Sequence, residues 1–213
     1  MEILYFLGLA AGAYFLGGLN GALIISRLVY KDDIRKHGSG NAGLTNFFRT
    51  YGSRVMILVL LIDVLKTALP VLLGGVLLDH TLTFGTPAER IILGRTFAGV
   101  FTMLGHAYPS LYRFKGGKAV LAGGTTALFI DIRVFAVLLL VFVLAVLLTR
   151  YVSLGSVLAG IAFPTACAIF HLGLWPTILA SCGGLLVVYR HHGNIARLIK
   201  GEERKLSFGK RRQ

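Results

Sequence analysis

The sequence predicts an all-α integral membrane protein, a bundle of seven transmembrane helices whose polar loops form a site on the cytoplasmic face. Three observations lead to this prediction. Hydrophobic residues make up 55% of the 213 residues and charged residues only 15%, whereas a soluble chain is about 45–50% apolar and about 25% charged. The apolar residues form long runs, and a membrane span needs about 20 such residues. The basic residues gather between and after these runs.

Seven apolar runs follow one another along the chain. The first has no basic segment before it and no small-residue cleavage site after it, which indicates a retained helix and not a signal peptide. The fourth covers only about 18 Å at 1.5 Å per residue, so six spans is the alternative count. Its helix either extends back through the preceding Gly-Gly-Lys or starts at membrane depth. The seven runs are Ile3–Val29, Val55–Leu78, Ile91–Tyr112, Ala119–Ile130, Val134–Thr149, Val152–His171 and Leu174–Tyr189.

The distribution of Lys and Arg predicts the orientation of the helices. If the N-terminus lies outside, the outer loops contain only Arg90 and Arg133, and the inner loops and the tail hold the other loop cations. The C-terminus is then cytoplasmic. This divides the chain into a membrane domain, residues 1–199, and a basic tail, residues 200–213, that lies on anionic lipid headgroups. Membrane lipids, and not nucleic acid, therefore account for the formal charge of +13.

Four residues inside the apolar runs have predicted structural roles. Asp63 and Lys66 lie one turn apart in the second run, where ionisable groups usually pair or serve function; we favour an internal ion pair over a catalytic role. Cys167 and Cys182 lie in apolar stretches, which is more typical of small core residues than of a disulfide or a metal site.

The first polar segment, residues 37–49, is a candidate anion-binding loop. It contains a G-x-G-x-x-G pattern at Gly38, Gly40 and Gly43, but no strand precedes it, so the pattern is not a dinucleotide fingerprint. Glycines allow backbone N–H groups to converge on an anion, and Arg49 suits phosphate oxygens. A flexible polar connector explains this segment alone equally well. Its neutral donors are Ser39, Asn41, Thr45 and Asn46.

The second polar segment, residues 105–118, is a candidate for a second anion site. It is not a Walker loop, because Ala119 follows the last lysine. Ordinary positive-inside lysines around a turn are the alternative interpretation. We favour a site, because polar irregular backbone at membrane depth must line a cavity. The candidate residues are Gly105, His106, Lys115, Gly116, Gly117 and Lys118.

The third polar segment, residues 189–203, places His191, Asn194 and Arg197 on one face of a helix, since they recur every third residue. Glu202 follows near its end. Two adjacent histidines with no carboxylate at ligand spacing are too few for a metal site, so no metal is expected. Taken alone, the segment is best explained as a membrane-exit helix with basic anchors.

Several common catalytic patterns are missing from the sequence. It has no G-x-S-x-G elbow, no cysteine beside a candidate base, and no H-x-x-x-x-D dyad of the common glycerolipid acyltransferases. A site that is rich in cations and neutral hydrogen-bond donors but poor in catalytic bases suits a substrate that is already activated and carries phosphate.

Together the three segments resemble those of the bacterial acyl-phosphate:glycerol-3-phosphate acyltransferases of phospholipid synthesis, over nearly the whole chain. Three residues depart from the family pattern in ways that concern the acyl groove: Thr67, Ala119 and Leu121. The matching residues are Gly38-Ser39-Gly40-Asn41, Thr45-Asn46, Arg49, Gly105-His106, Pro109, Phe114-Lys115-Gly116-Gly117-Lys118, His191, Asn194-Ile195, Arg197-Leu198 and Gly201-Glu202.

This resemblance implies a seven-helix inner-membrane enzyme that moves a fatty acyl group from acyl phosphate to glycerol 3-phosphate, giving lysophosphatidic acid and phosphate. By similarity, Ser39, Arg49 and Lys118 bind phosphate, whereas His191 and Asn194 help to hold glycerol phosphate. Acyl phosphate is a mixed anhydride, so neither a covalent enzyme intermediate nor a metal or nucleotide cofactor is implied. The alternative is a transporter of a phosphorylated solute, which should show polar residues on both faces and repeated halves.

Overall fold

The computed structural model describes residues 1–206, and within that range all regular structure is helical. This agrees with the predicted all-α class. Residues 207–213, half of the predicted basic tail, lie outside the described range. The α-helices are α1 (Glu2–Gly17), α2 (Gly21–Val29), α3 (Leu44–Tyr51), α4 (Met56–Thr81), α5 (Pro87–Ala107), α6 (Val120–Ile130), α7 (Ile132–Thr149), α8 (Val152–Ile169), α9 (Leu174–Arg190) and α10 (His192–Ile199), with 3-10 turns at Ile34–Lys36 and Ser110–Tyr112.

The outer surface of the bundle is apolar along much of its height. Four helical segments are long and apolar enough to cross a membrane: Glu2–Val29, α4, α7 and α8. Leucines point outward from them; Leu147 and Leu148 on α7 are 72% and 83% exposed. A soluble monomer rarely exposes contiguous apolar surface of this kind, so this surface is the one expected against lipid.

The first apolar run, which was predicted to be one helix, forms two. α1 ends at Gly17, and Asn20 caps α2 by accepting a hydrogen bond from the Leu23 N–H at 3.0 Å. The Asn20 amide also donates to the Ala42 carbonyl at 2.9 Å. A fully buried asparagine that uses both ends of its side chain breaks the helix and ties the break to the first polar segment.

Two further helix ends differ from the sequence expectation. α5 begins four residues earlier, at Pro87, with a capping box between Thr86 and Glu89, and it ends at Ala107 because Tyr108 precedes Pro109 and is disfavoured in the helical region. The possibility that α6 extends through Gly-Gly-Lys is wrong. Ala119 adopts a left-handed conformation, φ 60°, and α6 starts only after it.

Two groups of three helices make up the bundle: α1, α4 and α5 on one side, and α7, α8 and α9 on the other. They meet where α5 packs on α9, with α6 between the groups. Paired small residues bring the backbones close, as is typical of membrane helices. A Cβ on Gly74 would lie 2.6 Å from the Gly94 carbonyl oxygen of α5, and Gly160 of α8 faces the Gly184 backbone of α9.

The predicted core position holds for one cysteine of the two. Cys167 is buried in α8 as expected, but Cys182 lies on the exposed side of α9, and both thiols are free.

The described part of the predicted tail, residues 200–206, contacts the helical bundle. The Leu206 N–H donates to the Arg150 carbonyl at 2.7 Å, and Glu203 is buried. The chain therefore returns to the bundle after α10.

Candidate active site

The three polar segments converge on two adjoining cavities at one end of the bundle. The larger, of about 760 Å³, runs between α6, α7 and α8 and has a mostly hydrophobic lining; we call it the apolar cavity. The smaller, of about 650 Å³, is bordered by Lys36, Arg113, Lys115 and Arg190, among others; we call it the cationic cavity. Five residues line both: Ser39, Asn41, Lys118, Asn194 and Arg197.

The cavities gather all but three of the residues proposed from the sequence. Only the apolar cavity is lined by Gly38, Thr45, Asn46, Arg49, His106 and His191. Only the cationic cavity is lined by Gly40, Lys115 and Gly116. Gly105, Gly117 and Glu202 line neither. Gly105 instead packs against the backbone of α1, where a Cβ would collide with the Tyr14 carbonyl oxygen.

Asn46 organises the first polar loop. Its side-chain oxygen accepts from the Ser39 N–H at 2.9 Å, while its amide donates to the carbonyls of His37 and Asn41, each at 3.0 Å. Gly38 and Gly40 have φ of 59° and 71°, which favours glycine. The amide of Asn46 is thus engaged within the loop, and Ser39, Asn41 and Thr45 remain as the neutral side chains that can meet a ligand.

The Gly116-Gly117 pair is needed for close packing. The Gly117 N–H donates to the His106 carbonyl at 3.0 Å, and a Cβ on Gly117 would lie 2.8 Å from the Ala42 carbonyl oxygen. Arg190, a basic residue of the third polar segment, donates to the carbonyls of Gly117 and Gly116 at 3.1 and 3.3 Å. The pair therefore positions Lys118 between the first polar segment and the end of α9.

A chain of polar contacts links Lys118 to α8. The Lys118 ammonium donates to the Asn194 side-chain oxygen, and the Asn194 amide donates to Glu203 at 2.7 Å. Glu203 also accepts from the Ser153 hydroxyl at 2.9 Å and from Arg197 at 2.8 Å. This network fixes the position of Lys118, which lines both cavities, and leaves it ammonium protons to offer an anion.

The carboxylate of the third segment that lines a cavity is Glu203, whereas the sequence predicts Glu202. Glu202 is exposed, whereas Glu203 is buried beneath Asn194 and Arg197. The chain turns at Gly201, with φ 71°, and the Glu202 N–H closes the turn on the Arg197 carbonyl at 2.8 Å. Glu203 and Ser153 are the functional candidates that sequence reasoning missed; Glu203 was adjacent to a motif, but Ser153 carried no local signal.

The protonation states follow from burial and from the clustered cations. Burial lowers the pKa of Lys118 to about 8; Glu203 opposes this shift, and Arg197, Arg190 and Arg49 add to it. Burial and Lys118 lower the pKa of His191 to about 4, so its ring is neutral at pH 7. Because His191 Nδ1 lies 2.8 Å from the Val187 carbonyl, which can only accept, Nδ1 carries the proton and Nε2 is the acceptor.

Burial alone would raise the pKa of Glu203, but hydrogen bonds from Asn194, Arg197 and Ser153 together with the Arg197 charge lower it. Glu203 is therefore an anion among cations. It holds groups of the site in place and is not a proton donor at neutral pH.

The predicted ion pair inside the second apolar run is confirmed, and it has a third member. Lys66 Nζ lies 2.8 Å from Asp63 Oδ1 and 2.8 Å from His106 Nδ1, and all three side chains are buried. Asp63 also accepts from the Gly21 N–H at 3.1 Å, where α2 begins. Asp63 and His106 border the apolar cavity. The pair thus joins α2 and α4 to the residue whose carbonyl holds Gly117.

Residues 7–201 match the family described as Glycerol-3-phosphate acyltransferase. A glycerol-3-phosphate acyltransferase of Finegoldia magna is 39% identical over 211 residues, which cover 97% of this chain and 98% of that protein. The enzyme of the same name from Bacillus subtilis is 36% identical over 200 residues, covering 92% of this chain and 95% of that protein.

Solved structures share the fold. The crystal structure of PlsY (YgiH), an integral membrane glycerol 3-phosphate acyltransferase, in its glycerol 3-phosphate form has a TM-score of 0.84 at 32% identity and covers 95% of this chain and 96% of that one. The lysophosphatidic acid form of PlsY has a TM-score of 0.81 at 31% identity, with 95% of each chain covered. With family, relatives and structures in agreement over nearly the full length, this chain belongs to the integral membrane glycerol-3-phosphate acyltransferase family.

Proposed function

We propose that the protein transfers a fatty acyl group from acyl phosphate to glycerol 3-phosphate, producing lysophosphatidic acid and phosphate in the first acylation step of phospholipid synthesis. The observation that carries this proposal is the junction of the two cavities at Ser39, Lys118 and Asn194. An amphipathic donor needs an apolar channel beside an anion site, and a soluble phosphate ester needs a cationic entrance. The glycerol 3-phosphate and lysophosphatidic acid forms of PlsY support these as acceptor and product.

The reaction needs no protein nucleophile. The acceptor hydroxyl oxygen attacks the acyl carbonyl carbon, the bond from that carbon to the bridging phosphate oxygen breaks, and phosphate leaves with the electron pair. The hydroxyl proton passes to an oxygen of the substrate phosphate. No metal and no nucleotide cofactor enters these steps. The protein contributes mainly by holding the acceptor hydroxyl near the acyl carbonyl and by neutralising the charge of both substrates.

Four of the five residues that line both cavities, and several of their neighbours, have a role in this scheme. Ser39, Arg49 and Lys118 bind phosphate oxygens, with Lys118 able to reach either cavity. Neutral His191 accepts a hydrogen bond from the glycerol hydroxyl through Nε2, and Asn194, fixed by Glu203, orients Lys118. Arg197, Lys115 and the first-loop backbone at Gly38 and Gly40 draw the acceptor phosphate inward.

The membrane topology belongs to the same proposal. Seven spans result when α1 with α2 counts as one, followed by α4, α5, α6, α7, α8 and α9. From the excess of Lys and Arg at one end of these spans we infer that the N-terminus lies outside and the C-terminus in the cytoplasm, with the junction on the cytoplasmic side of the inner membrane. A C-terminal reporter enzyme that is active only in the periplasm would contradict this orientation.

A phosphate-release assay tests the activity directly. We expect the purified protein in lipid nanodiscs to release inorganic phosphate when acyl phosphate and glycerol 3-phosphate are both present, and to form lysophosphatidic acid in equal amount. Acyl-CoA should not replace acyl phosphate. Turnover with acyl-CoA and none with acyl phosphate would overturn the choice of donor. A transporter of phosphorylated solutes, the alternative class, has no use for the apolar cavity and would show no chemical turnover.

A further inference from the structure

The apolar cavity extends well beyond the phosphate-binding residues. Along α8 it runs from Ser153, which contacts Glu203, to Phe163. Ten residues of helix correspond to about 15 Å at 1.5 Å per residue. The lining between these ends is hydrophobic or small, including Ala159 and Gly160 of α8.

The cavity ends at a packed cluster. Phe163 is fully buried and belongs to a core of residues from α6 to α9, and Phe135 packs against that core from α7. Both phenylalanines line the cavity, whereas their neighbours toward the far end of the bundle, such as Val134 and Cys167, are buried in the core and do not. Phe135 and Phe163 therefore close the end remote from Lys118.

Gly124 sets the width of the cavity about halfway along its α6 wall. It lines the cavity, and a Cβ built on it meets no atom within 4 Å. Its neighbour Gly123 differs, because a Cβ there would lie 3.2 Å from Met103 Cε. Gly123 is thus a packing glycine, and Gly124 keeps space empty.

We propose that Gly124, Phe135 and Phe163 determine the length of the acyl chain that the protein accepts: Gly124 admits the chain to the deep half of the cavity, and the two phenylalanines stop it. The occupant is the acyl chain of the donor, because the shallow end of the cavity is continuous with Ser39, Lys118 and Asn194, where a phosphate head can bind. This inference rests on the proposed function for the identity of the donor.

The direct test compares long and short donors in matched variants. Gly124→Leu places four carbons in the middle of the cavity and should lower the ratio of kcat/KM for dodecanoyl phosphate over hexanoyl phosphate roughly tenfold or more, since single methylenes in apolar pockets change discrimination by that order. Phe135→Ala, at the closed end, should raise the ratio of kcat/KM for hexadecanoyl phosphate over dodecanoyl phosphate. Gly12→Leu is the control, because Gly12 is an exposed helical glycine on α1 that also has no atom within 4 Å of a Cβ.

A second measurement keeps this inference separable from the proposed reaction. Dodecyl and hexyl phosphate cannot transfer an acyl group, so thermal stabilisation by each of them reports binding alone. We expect Gly124→Leu to lose stabilisation by dodecyl phosphate and to keep that by hexyl phosphate. If the protein showed no turnover but its binding still depended on chain length, the proposed reaction would be refuted and the length determinant would be retained. An unchanged length profile in both Gly124→Leu and Phe135→Ala would overturn the inference, whether or not the wild type turns over.

Discussion

Lys118 combines two constraints that an arginine cannot satisfy. Its ammonium contacts the Asn194 oxygen, and it lies between the closely packed Gly116-Gly117 pair and Ala119. A planar guanidinium is larger and presents its donors in a fixed fork. We expect Lys118→Arg to lose most activity while folding normally.

In the phosphate-release assay, Arg49→Lys should also lose most activity, because a lysine cannot make a two-pronged phosphate contact. Losing one charge-assisted hydrogen bond costs about 1.5–3 kcal/mol, or roughly ten- to hundredfold in rate if the contact acts in the transition state. Arg150→Lys, outside both cavities, is the control and should be nearly neutral. Equal activity of all three variants at matched expression would show that these cations only orient the protein.

The lowered pKa of Lys118 gives the reaction a predictable dependence on pH. Its pKa is about 8 because burial and nearby arginines disfavour the ammonium form, so the charge is complete at lower pH and is lost as pH rises through about 8. We expect kcat/KM, which reports the free enzyme, to fall over that range.

The pH profile can be shifted in a known direction. Glu203 raises the pKa of Lys118 against the other influences, so Glu203→Gln should move the falling limb to lower pH. A profile that stays flat through this range in the wild type would mean that the Lys118 charge does not limit catalysis.

Individual residues of the site were predictable from sequence to different degrees. Ser39, Lys118, His191 and Asn194 could be proposed because each lies within a compact polar motif. The choice between Glu202 and Glu203 could not be made, since it depends on how the turn at Gly201 directs the chain. Ser153 lies on a helix remote in sequence and joins the site only through Glu203.

At the scale of helices, the break between α1 and α2 links stability to the site. Asn20→Ala removes the cap on α2 and the donor to the Ala42 carbonyl. Losing a helix cap costs about 0.5–2 kcal/mol. Thr86→Ala removes a comparable cap from α5, on an exposed loop away from both cavities. We expect both variants to lower the free energy of unfolding in detergent micelles.

Only Asn20→Ala should also reduce activity, because Ala42 belongs to the first polar loop. The comparison of the two variants separates a general loss of stability from a displaced loop. If Thr86→Ala reduced kcat/KM as much as Asn20→Ala, the Asn20 contact would have no specific effect on the site.

Helices as elements were more predictable than their ends. Long apolar runs correctly located α4, α7, α8 and α9, since burial or lipid contact along a whole helix leaves a clear hydrophobic pattern. The break at Asn20 rests on a hydrogen bond to a residue 22 positions away. The start of α6 depends on the left-handed Ala119, and neither effect has a local signature in the sequence.

For the molecule as a whole, the buried ion pair of Asp63 and Lys66 joins elements that carry different motifs. Removing one partner of a buried pair costs about 3–5 kcal/mol, because the remaining charge is uncompensated. Lys66→Met should therefore reduce the yield of monodisperse protein and its melting temperature. In the double variant Asp63→Asn, Lys66→Met no charge is left, and the introduced amide oxygen can still accept from the Gly21 N–H, so much of the loss should be recovered.

Size-exclusion profiles and thermal melting of the two variants check this expectation. A double variant no more stable than Lys66→Met would show that the lost lysine matters for its contact with His106 and not for charge balance.

For the site as a whole, the sequence predicts only that the three polar segments lie at the same end of the bundle. The structure shows this convergence. The two cavities and their common border could not be derived from the sequence, because they depend on how α6 and the Gly116-Gly117 pair are inserted between two groups of helices.

One wall of the apolar cavity has a kinetic consequence. Leu139 lines the cavity and is 47% exposed on the outer side of α7, so in a bilayer this wall would adjoin lipid, and in the proposed topology the cationic cavity would adjoin water. For a donor dissolved in the bilayer, the effective concentration is its mole fraction among the lipids, and for the acceptor it is molarity. Adding bare lipid at fixed total donor should then slow the reaction by surface dilution, and the slowing should persist at saturating glycerol 3-phosphate.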